Sequence, residues 1–368
     1  MRLFEPINDY LHKITKNEAL IHIISQHFFE STPTFFALSY FSLYLDYQYP
    51  KGSTQVVVDK LQNLIRKNGG EIRNGQEVVR IDAAGRKIRT AGGEEYAYEE
   101  MIWAADSNLL YRCLDAAHWP DSPIKDKVLE KQTLLSTKKG ADSILTIYII
   151  VNRAPEAFQS ISGPHAFYTP SPEGLSAISP ADLKDSDGSF TKDLGRIYTW
   201  LETFVKQNTF EISIPALRDP ALSPAGETAL IVSLLFDYAL AKHIAQIDSH
   251  ENLKVRITEM VITQLDGYFP DLSRDILKTV VSTPLTIAGR TNSTEGSVTG
   301  WSFANDPFPV EYRFLKVSQS VLTPIPSIKQ AGQWAFNPAG VPVAILTGKL
   351  AHDAVSRDLK KRQPKGDA

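Results

Sequence analysis

The segment Ala331–Lys349 reads AGQWAFNPAGVPVAILTGK, and it decides which fold the sequence predicts. Asn337-Pro338-Ala339-Gly340 is a run of turn-forming residues, and Pro342 follows at a position where helices often begin. The apolar residues that come next have helical spacing; they are Ile345, Leu346, Leu350, Ala354 and Val355. The sequence therefore predicts a turn-rich loop that leads directly into the last long helix.

The start of this predicted helix has backbone donors to offer. Pro342 has no N–H group, but the amides of Val341, Val343 and Ala344 lack partners inside the helix, at the positive end of its dipole. Gly340 allows a close approach of the backbone to a neighbouring group. Such an end suits a phosphate or the N1–C2=O edge of a reduced flavin. On spacing alone, an ordinary Gly-Pro helix start is the favoured interpretation.

The segment also resembles the C-terminal flavin signature of the phytoene desaturase, carotenoid isomerase and retinol saturase family of FAD-dependent oxidoreductases. Ala331-Gly332-Gln333-Trp334 and Val341-Pro342 match that signature. Val343 stands where glycine is usual, and Asn337-Pro338-Ala339 replaces a run richer in glycine. The resemblance implies FAD as cofactor and places these residues along the flavin: Gly332, Gln333, Trp334, Gly340, Val341, Pro342 and Ala344.

Composition sets the bounds. The chain has 368 residues, 43% of them hydrophobic, and a net charge of −3, so a large core is expected and nucleic acid is not. A single cysteine, Cys113, fits a reducing compartment. The first ten residues have no apolar core typical of a signal peptide, and the longest apolar runs are shorter than the ~20 residues of a spanning helix. We therefore expect a cytoplasmic protein, with peripheral membrane contact left open.

Residues 1–48 have helical periodicity, interrupted at Ser31-Thr32-Pro33. They carry an aromatic patch that consists of Phe35, Phe36, Tyr40, Phe41, Tyr44, Tyr47 and Tyr49. The commoner interpretation of such a patch is a core helix packed on a sheet. The functional interpretation is one wall of a channel for a long apolar substrate, because aromatic rings give large apolar contact area. The two interpretations are compatible.

Residues 50–109 predict a helix followed by a strand meander. Ser53 is the expected N-cap and Asn68-Gly69 the expected C-cap of a helix with an apolar stripe, which consists of Val57, Val58, Leu61, Leu64 and Ile65. Strands are expected at 71–73, 78–81, 87–90, 95–98 and 101–106. The order, starting from Tyr49-Pro50-Lys51-Gly52, again resembles the family. That resemblance implies that Val78 and Val79 meet the adenine end of FAD and that Asp106 lies beside the cofactor; the alternative for Asp106 is a helix N-cap.

The middle of the chain is less informative. Strands are expected at 144–151, 211–215 and 228–235 and a helix at 253–265, while 160–195 gives no clear pattern. The proline-rich turn 215–226 resembles a hairpin of the family's substrate domain, with Ala216 and Ser223 as departures. Residues 294–301 resemble the Gly-Trp loop that precedes the final signature.

Some expected motifs are missing. The family begins with a Gly-x-Gly-x-x-Gly loop for the FAD pyrophosphate, and no two of the 21 glycines here are separated by one residue. The sequence therefore resembles a family member without its first cofactor-binding segment. The eight histidines are scattered and there is one cysteine, so no metal site is predicted. No nucleophile elbow and no catalytic acid or base is predicted.

The resemblance implies an α/β (α+β) fold with two domains. Residues 50–109 and 285–360 are expected to form an incomplete Rossmann-like FAD-binding domain of the glutathione-reductase/amine-oxidase type. Residues 1–49 and 110–284 are expected to form a substrate domain with a mixed sheet and helices, and residues 361–368 a disordered tail.

Three hypotheses for function follow. The first is an FAD-dependent oxidoreductase that desaturates, saturates or isomerises a long apolar substrate of the carotenoid, polyene or retinoid kind. The second is a truncated, non-catalytic remnant that binds an apolar ligand or a partner. The third is a fragment whose missing Gly-x-Gly-x-x-Gly unit comes from an upstream segment or another chain. Loss of the pyrophosphate cradle removes charge-assisted bonds worth ~1.5–3 kcal/mol each, which favours the last two for this chain alone.

Overall fold

The computed structural model describes residues 4–43, 46 and 48–362. The chain divides into two compact units. Unit 1 consists of Met1–Ile72 and Asp142–Arg290, and unit 2 consists of Arg73–Ala141 and Thr291–Ala368. Within the described ranges, no helix combines the length and the apolar character needed to cross a membrane.

The α-helices of the described part are, in chain order, α1 Ile7–Ile14, α2 Glu18–Ser25, α3 Thr34–Leu43, α4 Gln55–Lys67, α5 Ser107–Cys113, α6 Pro123–Leu135, α7 Glu156–Gln159, α8 Leu194–Gln207, α9 Tyr238–Ile247, α10 His250–Asp266, α11 Pro284–Thr291 and α12 Val341–Arg362. The strands are β1 Val78–Asp82, β2 Lys87–Thr90, β3 Glu95–Ala97, β4 Met101–Trp103, β5 Ser143–Val151, β6 His165–Tyr168, β7 Phe210–Ser213, β8 Thr228–Phe236, β9 Ile276–Ser282 and β10 Ile328–Gln330.

Unit 1 is built on a five-stranded sheet with the order β6-β7-β8-β5-β9. The β5 and β8 strands pair along their whole length, from Ser143 opposite Phe236 to Val151 opposite Thr228. Alternate residues of β8 are buried, which is the period of a strand with one face on a core. That face joins α8, α9 and α10 in one hydrophobic core.

The opposite face of this sheet, here called the open face, is partly exposed and carries one apolar row between polar and charged residues such as Glu211 and Lys278. Tyr148 pairs with Ile231 on one side and Val280 on the other, so the three residues form a row across the sheet. Tyr148 is 43% and Val280 50% exposed. An apolar row left this open is unusual for a sheet that has a well-filled core on its other side.

Unit 2 contains two small sheets. The β1, β2 and β3 strands form an antiparallel meander, and β4 pairs with β10 in parallel. Its core is formed around Trp103, Trp301 and Trp334, with Leu110 and Ile328. The last helix, α12, contributes Ala351 to a smaller buried cluster with Val321 and Ala331.

The predicted fold class is confirmed, with one difference in detail, since the strands of the larger sheet are antiparallel throughout rather than mixed. The bounds of the two units also differ from the predicted domains. Residues 50–72 and 285–290 belong to unit 1, and residues 110–141 belong to unit 2. Residues 363–368 of the predicted tail lie outside the described part.

Some local predictions are corrected. The N-cap of α4 is Thr54, because Ser53 has a φ of 83° and lies outside the helix. Residues 71–73 form no strand; they follow the predicted C-cap, where Gly69 has a φ of 79°. No residue of α4 is buried, so its apolar stripe lies on the surface. The helix is confirmed, but its stripe has no cover in the described part of unit 1.

Candidate cofactor and substrate sites

The loop that precedes α12 is tied to that helix and to β4. The Ala331 amide donates to the Trp103 carbonyl at 2.9 Å, which extends the β4–β10 pairing. Gly332 has a φ of 86°, and its amide donates to the hydroxyl of Thr347 at 3.0 Å. Thr347 is fully buried in the second turn of α12 and its hydroxyl also lies 2.9 Å from the Val343 carbonyl. One hydroxyl therefore holds the loop against the start of the helix.

Trp334 is a core residue. It is 3% exposed, and its ring meets Trp301 edge-on with centroids 4.9 Å apart. Its carbonyl accepts hydrogen bonds from the Trp301 indole and the Ser107 hydroxyl, each at 3.2 Å. A Cβ at Gly300 would lie 2.3 Å from the Gln333 carbonyl, so this close approach requires glycine. Trp334 and Gln333 thus fix the loop through packing and backbone contacts.

The amino end of α12 faces outward. Gly340 has a φ of 143°, and its carbonyl accepts the Ala344 amide at 2.9 Å. The prediction that the Ala344 amide is free is therefore wrong, because the residue before the helix supplies a carbonyl to it. Among the described residues, no hydrogen bond engages the amides of Val341 or Val343. Val341 is 69% exposed, and no acidic residue occupies the first turn. Two free donors at a positive helix end are a fit for an anionic edge of a planar ring or for a phosphate.

Asp106 serves the fold. It is 3% exposed, and its carboxylate caps α5 by accepting the Asn108 amide at 2.6 Å. Its second oxygen accepts the Thr294 amide, also at 2.6 Å. This is the alternative that the sequence left open, a helix N-cap, and it also anchors the 291–301 segment. Contact of Asp106 with a cofactor remains a prediction.

Val78 and Val79 lie in the meander rather than in the β4–β10 sheet. The register of the β1–β2 pairing shifts between Val78 and Arg80, so Val79 is part of a β-bulge. Val79 is 46% exposed, whereas Val78 packs against the core and its carbonyl accepts from the Cys113 thiol at 3.4 Å. Their place at the adenine of FAD remains a prediction.

In unit 1, the aromatic patch packs on the edge of the open face. His27 is in ring contact with Phe28, Tyr40, Phe41 and Phe167, with centroid distances from 4.1 to 6.2 Å. Phe28 and Tyr40 belong to a core cluster, which supports the core interpretation, but Phe41 is 43% exposed. The core interpretation therefore holds for Tyr40, and the wall of a substrate channel remains a prediction. Tyr44 and Tyr47 lie outside the described residues.

His27 could not be selected as a functional residue from the sequence. Burial among aromatic rings lowers its pKa to about 4. Its Nε2 atom is buried and has no partner in the described part of the chain. A scattered histidine carries no sequence signal, because only the fold brings β6 beside α2 and α3.

Two motifs that the family resemblance singled out meet in unit 1. The Gly52 amide donates to the Asp219 carboxylate at 2.8 Å, and the Arg218 guanidinium lies 5.4 Å from the centre of the Tyr49 ring. Asp219 also caps the short turn that follows it. The Tyr-Pro-Lys-Gly motif and the proline-rich turn are therefore one structural unit.

No group of three potential metal ligands occurs among the described residues.

No protein-family model matches the chain, and no curated protein matches it in sequence. Solved structures do match. An oxidoreductase from Methanosarcina mazei has a TM-score of 0.59 at 13% identity, and the match covers 96% of this chain and 68% of that one. A protein from Pyrococcus furiosus has a TM-score of 0.55 at 13% identity, with 97% and 68% covered. At this identity the likeness shows the fold alone: the chain shares the fold of these two structures and spans about two thirds of their length.

Proposed function

We propose that the chain is the body of an FAD-dependent oxidoreductase, in which unit 2 holds the flavin and unit 1 holds a long apolar substrate of the polyene kind. The observation that carries the proposal is the start of α12. The amides of Val341 and Val343 are free there, and Gly332 and Gly340 occupy backbone conformations that side chains disfavour. The resemblance of this segment to a flavin signature gives the free amides a ligand.

The residues of the chain would bind and orient, and the bound flavin would supply the hydride chemistry. The Val341 and Val343 amides would donate to the N1–C2=O edge of the ring. Thr347 would keep the Gly332 loop in place through its hydrogen bond. The proposal assigns no side-chain acid or base.

Unit 1 supports an apolar substrate. The row formed by Tyr148, Ile231 and Val280 and the exposed ring of Phe41 offer apolar area without a charged side chain among them. Fully burying such a side chain contributes ~1.5–3 kcal/mol, so a long hydrocarbon that covers several of them would bind without any polar contact. The kind of substrate and the direction of the reaction are part of the proposal.

The test is FAD uptake by the purified chain, measured from the absorbance and quenched fluorescence of the flavin. Val341→Asp should lower FAD affinity at least tenfold, because its carboxylate occupies the anion site. The same charge stabilises a helix start, so folding should be preserved. Val58→Asp adds the same charge to the first turn of α4 and should change nothing. A colourless chain that does not take up added FAD, or equal effects of the two variants, would refute the proposal.

A second candidate is a binding module that is completed by another segment, and the free edge of β4 favours it. The Met101 amide and the Trp103 carbonyl form hydrogen bonds with residues on the side of β4 where β10 lies. By alternation, the peptide groups of Ile102 point to the other edge, where no strand pairs with β4 among the described residues. Ile102 is 41% exposed. The partner would be a strand-bearing segment such as a Gly-x-Gly-x-x-Gly unit, from this protein or from another chain.

A further inference from the structure

A cleft in unit 1 has a chemistry that the proposed function does not use. It has a volume of about 400 Å³ and lies where β5 begins, β8 ends and α8 passes over them. Three acidic side chains line it: Glu30, Asp142 and Asp237. The lining contains no lysine, arginine or histidine. The cleft therefore carries negative charge without a cationic side chain of its own.

The protein neutralises these carboxylates only in part. The Asp142 carboxylate accepts the Glu30 amide at 2.5 Å, and Asp237 caps α9 by accepting the Leu240 amide at 2.6 Å. None of the three acids forms an ion pair with another described residue. Burial, together with the charges of Glu30 and Asp237, raises the pKa of Asp142 to about 6. A cation in the cleft would relieve this repulsion.

One wall of the cleft is aromatic. Trp200 and Phe204, one turn apart on α8, stack with centroids 5.0 Å apart and an interplanar angle of 14°. Phe236 meets Phe204 edge-on at 5.8 Å. Ring faces attract organic cations and pack against their alkyl groups. The described residues provide no group of three ligands for a metal ion, so the cation that fits is an organic ammonium.

Asn208 adds an independent sign of a ligand. It lines the cleft and is 2% exposed. Its Oδ1 atom accepts the Thr209 amide at 2.8 Å, which fixes its orientation and leaves Nδ2 as a donor. That nitrogen is buried and has no partner in the described part of the chain. Buried donors are normally satisfied, so the ligand should bring an acceptor oxygen.

We propose that this cleft binds a small organic ammonium ion that also carries a hydroxyl or carbonyl oxygen. The ammonium group lies among Asp142, Glu30 and Asp237, its alkyl part lies on Trp200 and Phe204, and its oxygen accepts from Asn208. The assignment is independent of flavin binding, because every residue that it uses lies in unit 1.

Four probes with the same five-carbon chain separate these contributions: aminopentanol, pentylamine, pentanediol and hydroxypentanoate. Binding to the full chain is measured by calorimetry and by the tryptophan fluorescence change that is lost in Trp200→Phe, since Trp200 is the one tryptophan of unit 1. Aminopentanol should bind at least tenfold more tightly than pentanediol, which lacks the charge, and several-fold more tightly than pentylamine, which lacks the oxygen. Hydroxypentanoate should not bind.

Variants assign each preference to a residue. Asp142→Asn keeps an acceptor for the Glu30 amide and should remove the preference for aminopentanol over pentanediol. Asn208→Leu should remove the preference for aminopentanol over pentylamine. The matched control is Glu202→Gln, an exposed acid on α8 outside this cleft. If Asp142→Asn fails to fold, Glu30→Gln at an exposed position takes its place. Equal binding of aminopentanol and pentanediol, or equal effects of Asp142→Asn and Glu202→Gln, overturns the proposal.

Discussion

Lys329 is a buried charge that connects the strands of unit 2 with the end of the chain's last helix. Its side chain is only 3% exposed, and its ammonium group lies 2.9 Å from Asp358 and 3.4 Å from Glu100. Arg362 forms a second ion pair with Glu100. The proximity of Lys329 also lowers the pKa of Asp358. The network joins β10, the residue before β4 and the carboxyl end of α12.

Lys329→Met is expected to destabilise the protein by about 1–3 kcal/mol, because the buried Glu100 then keeps only Arg362 and Asp358 loses its closest cation. The control is Lys349→Met, which removes an exposed pair with Asp353 one turn along α12. That pair should contribute only about 0.3–0.5 kcal/mol. Urea unfolding of the two variants measures both values. Similar small losses for both would mean that the buried network does not hold α12.

His27 predicts a dependence of stability on pH. Its folded-state pKa of about 4 lies below the ordinary value of 6.5, so the unfolded chain takes up the proton first as the pH falls. Stability should therefore decrease from pH 6.5 to pH 4, by about 2 kcal/mol at pH 4.5. His27→Phe keeps an aromatic ring and removes the titration. The free energy of unfolding, measured at several pH values, should fall less steeply for His27→Phe than for the wild type below pH 6.5. If the free energies of unfolding of the two proteins change with pH by the same amount, the prediction is wrong.

At the scale of elements, α4 shows a helix whose apolar stripe is left uncovered. Leu61 is 52% and Leu64 56% exposed. Replacing either by Gln should change the free energy of unfolding by no more than about 0.5 kcal/mol and should reduce the binding of a hydrophobic dye. Leu201→Ala, at a fully buried position of α8, should cost about 2–5 kcal/mol. A loss at Leu61 as large as that at Leu201 would show that the stripe is packed in solution.

The same helix shows which features apolar periodicity can predict and which it cannot. Spacing predicted α4 and its C-cap correctly, because caps and apolar period are properties of neighbouring residues. It said nothing about what covers the stripe, which depends on contacts distant in sequence. The strands of 78–103 were predicted for the same local reason. Strand β6 was not, because His165–Tyr168 lies in a run of Pro, Gly and Ser residues and is a strand only through its pairing with β7.

The candidate sites also contain a part that local sequence predicts and a part that only the fold brings together. The loop and the start of α12 could be predicted from one continuous stretch of sequence. Thr347, which ties Gly332 to the helix, lies within that stretch but has no signature of its own. Asp142, Asn208 and Glu30 are far apart in the chain, and only the ends of β5 and α8 bring them to one cleft. Composition and spacing cannot select such residues.

For the whole molecule, the two units each have their own core, and the solved structures of the same fold are longer than this chain. The free edge of β4 is where an additional segment would pair, because parallel pairs of strands are normally part of larger, covered sheets. A strand added there would bury Ile102 and bond its peptide groups.

Hydrogen exchange at two neighbouring amides tests this. The Met101 amide donates to the Ser327 carbonyl at 2.9 Å and should be protected in the chain alone. The Ile102 amide points to the free edge and should exchange quickly, because nothing in the described part pairs with it. A segment that completes the sheet should protect Ile102 without changing Met101, and Ile102→Lys should weaken that binding because a charge on an edge strand opposes strand addition. If the Ile102 amide is already protected in the isolated chain, the edge is occupied and the binding-module hypothesis fails.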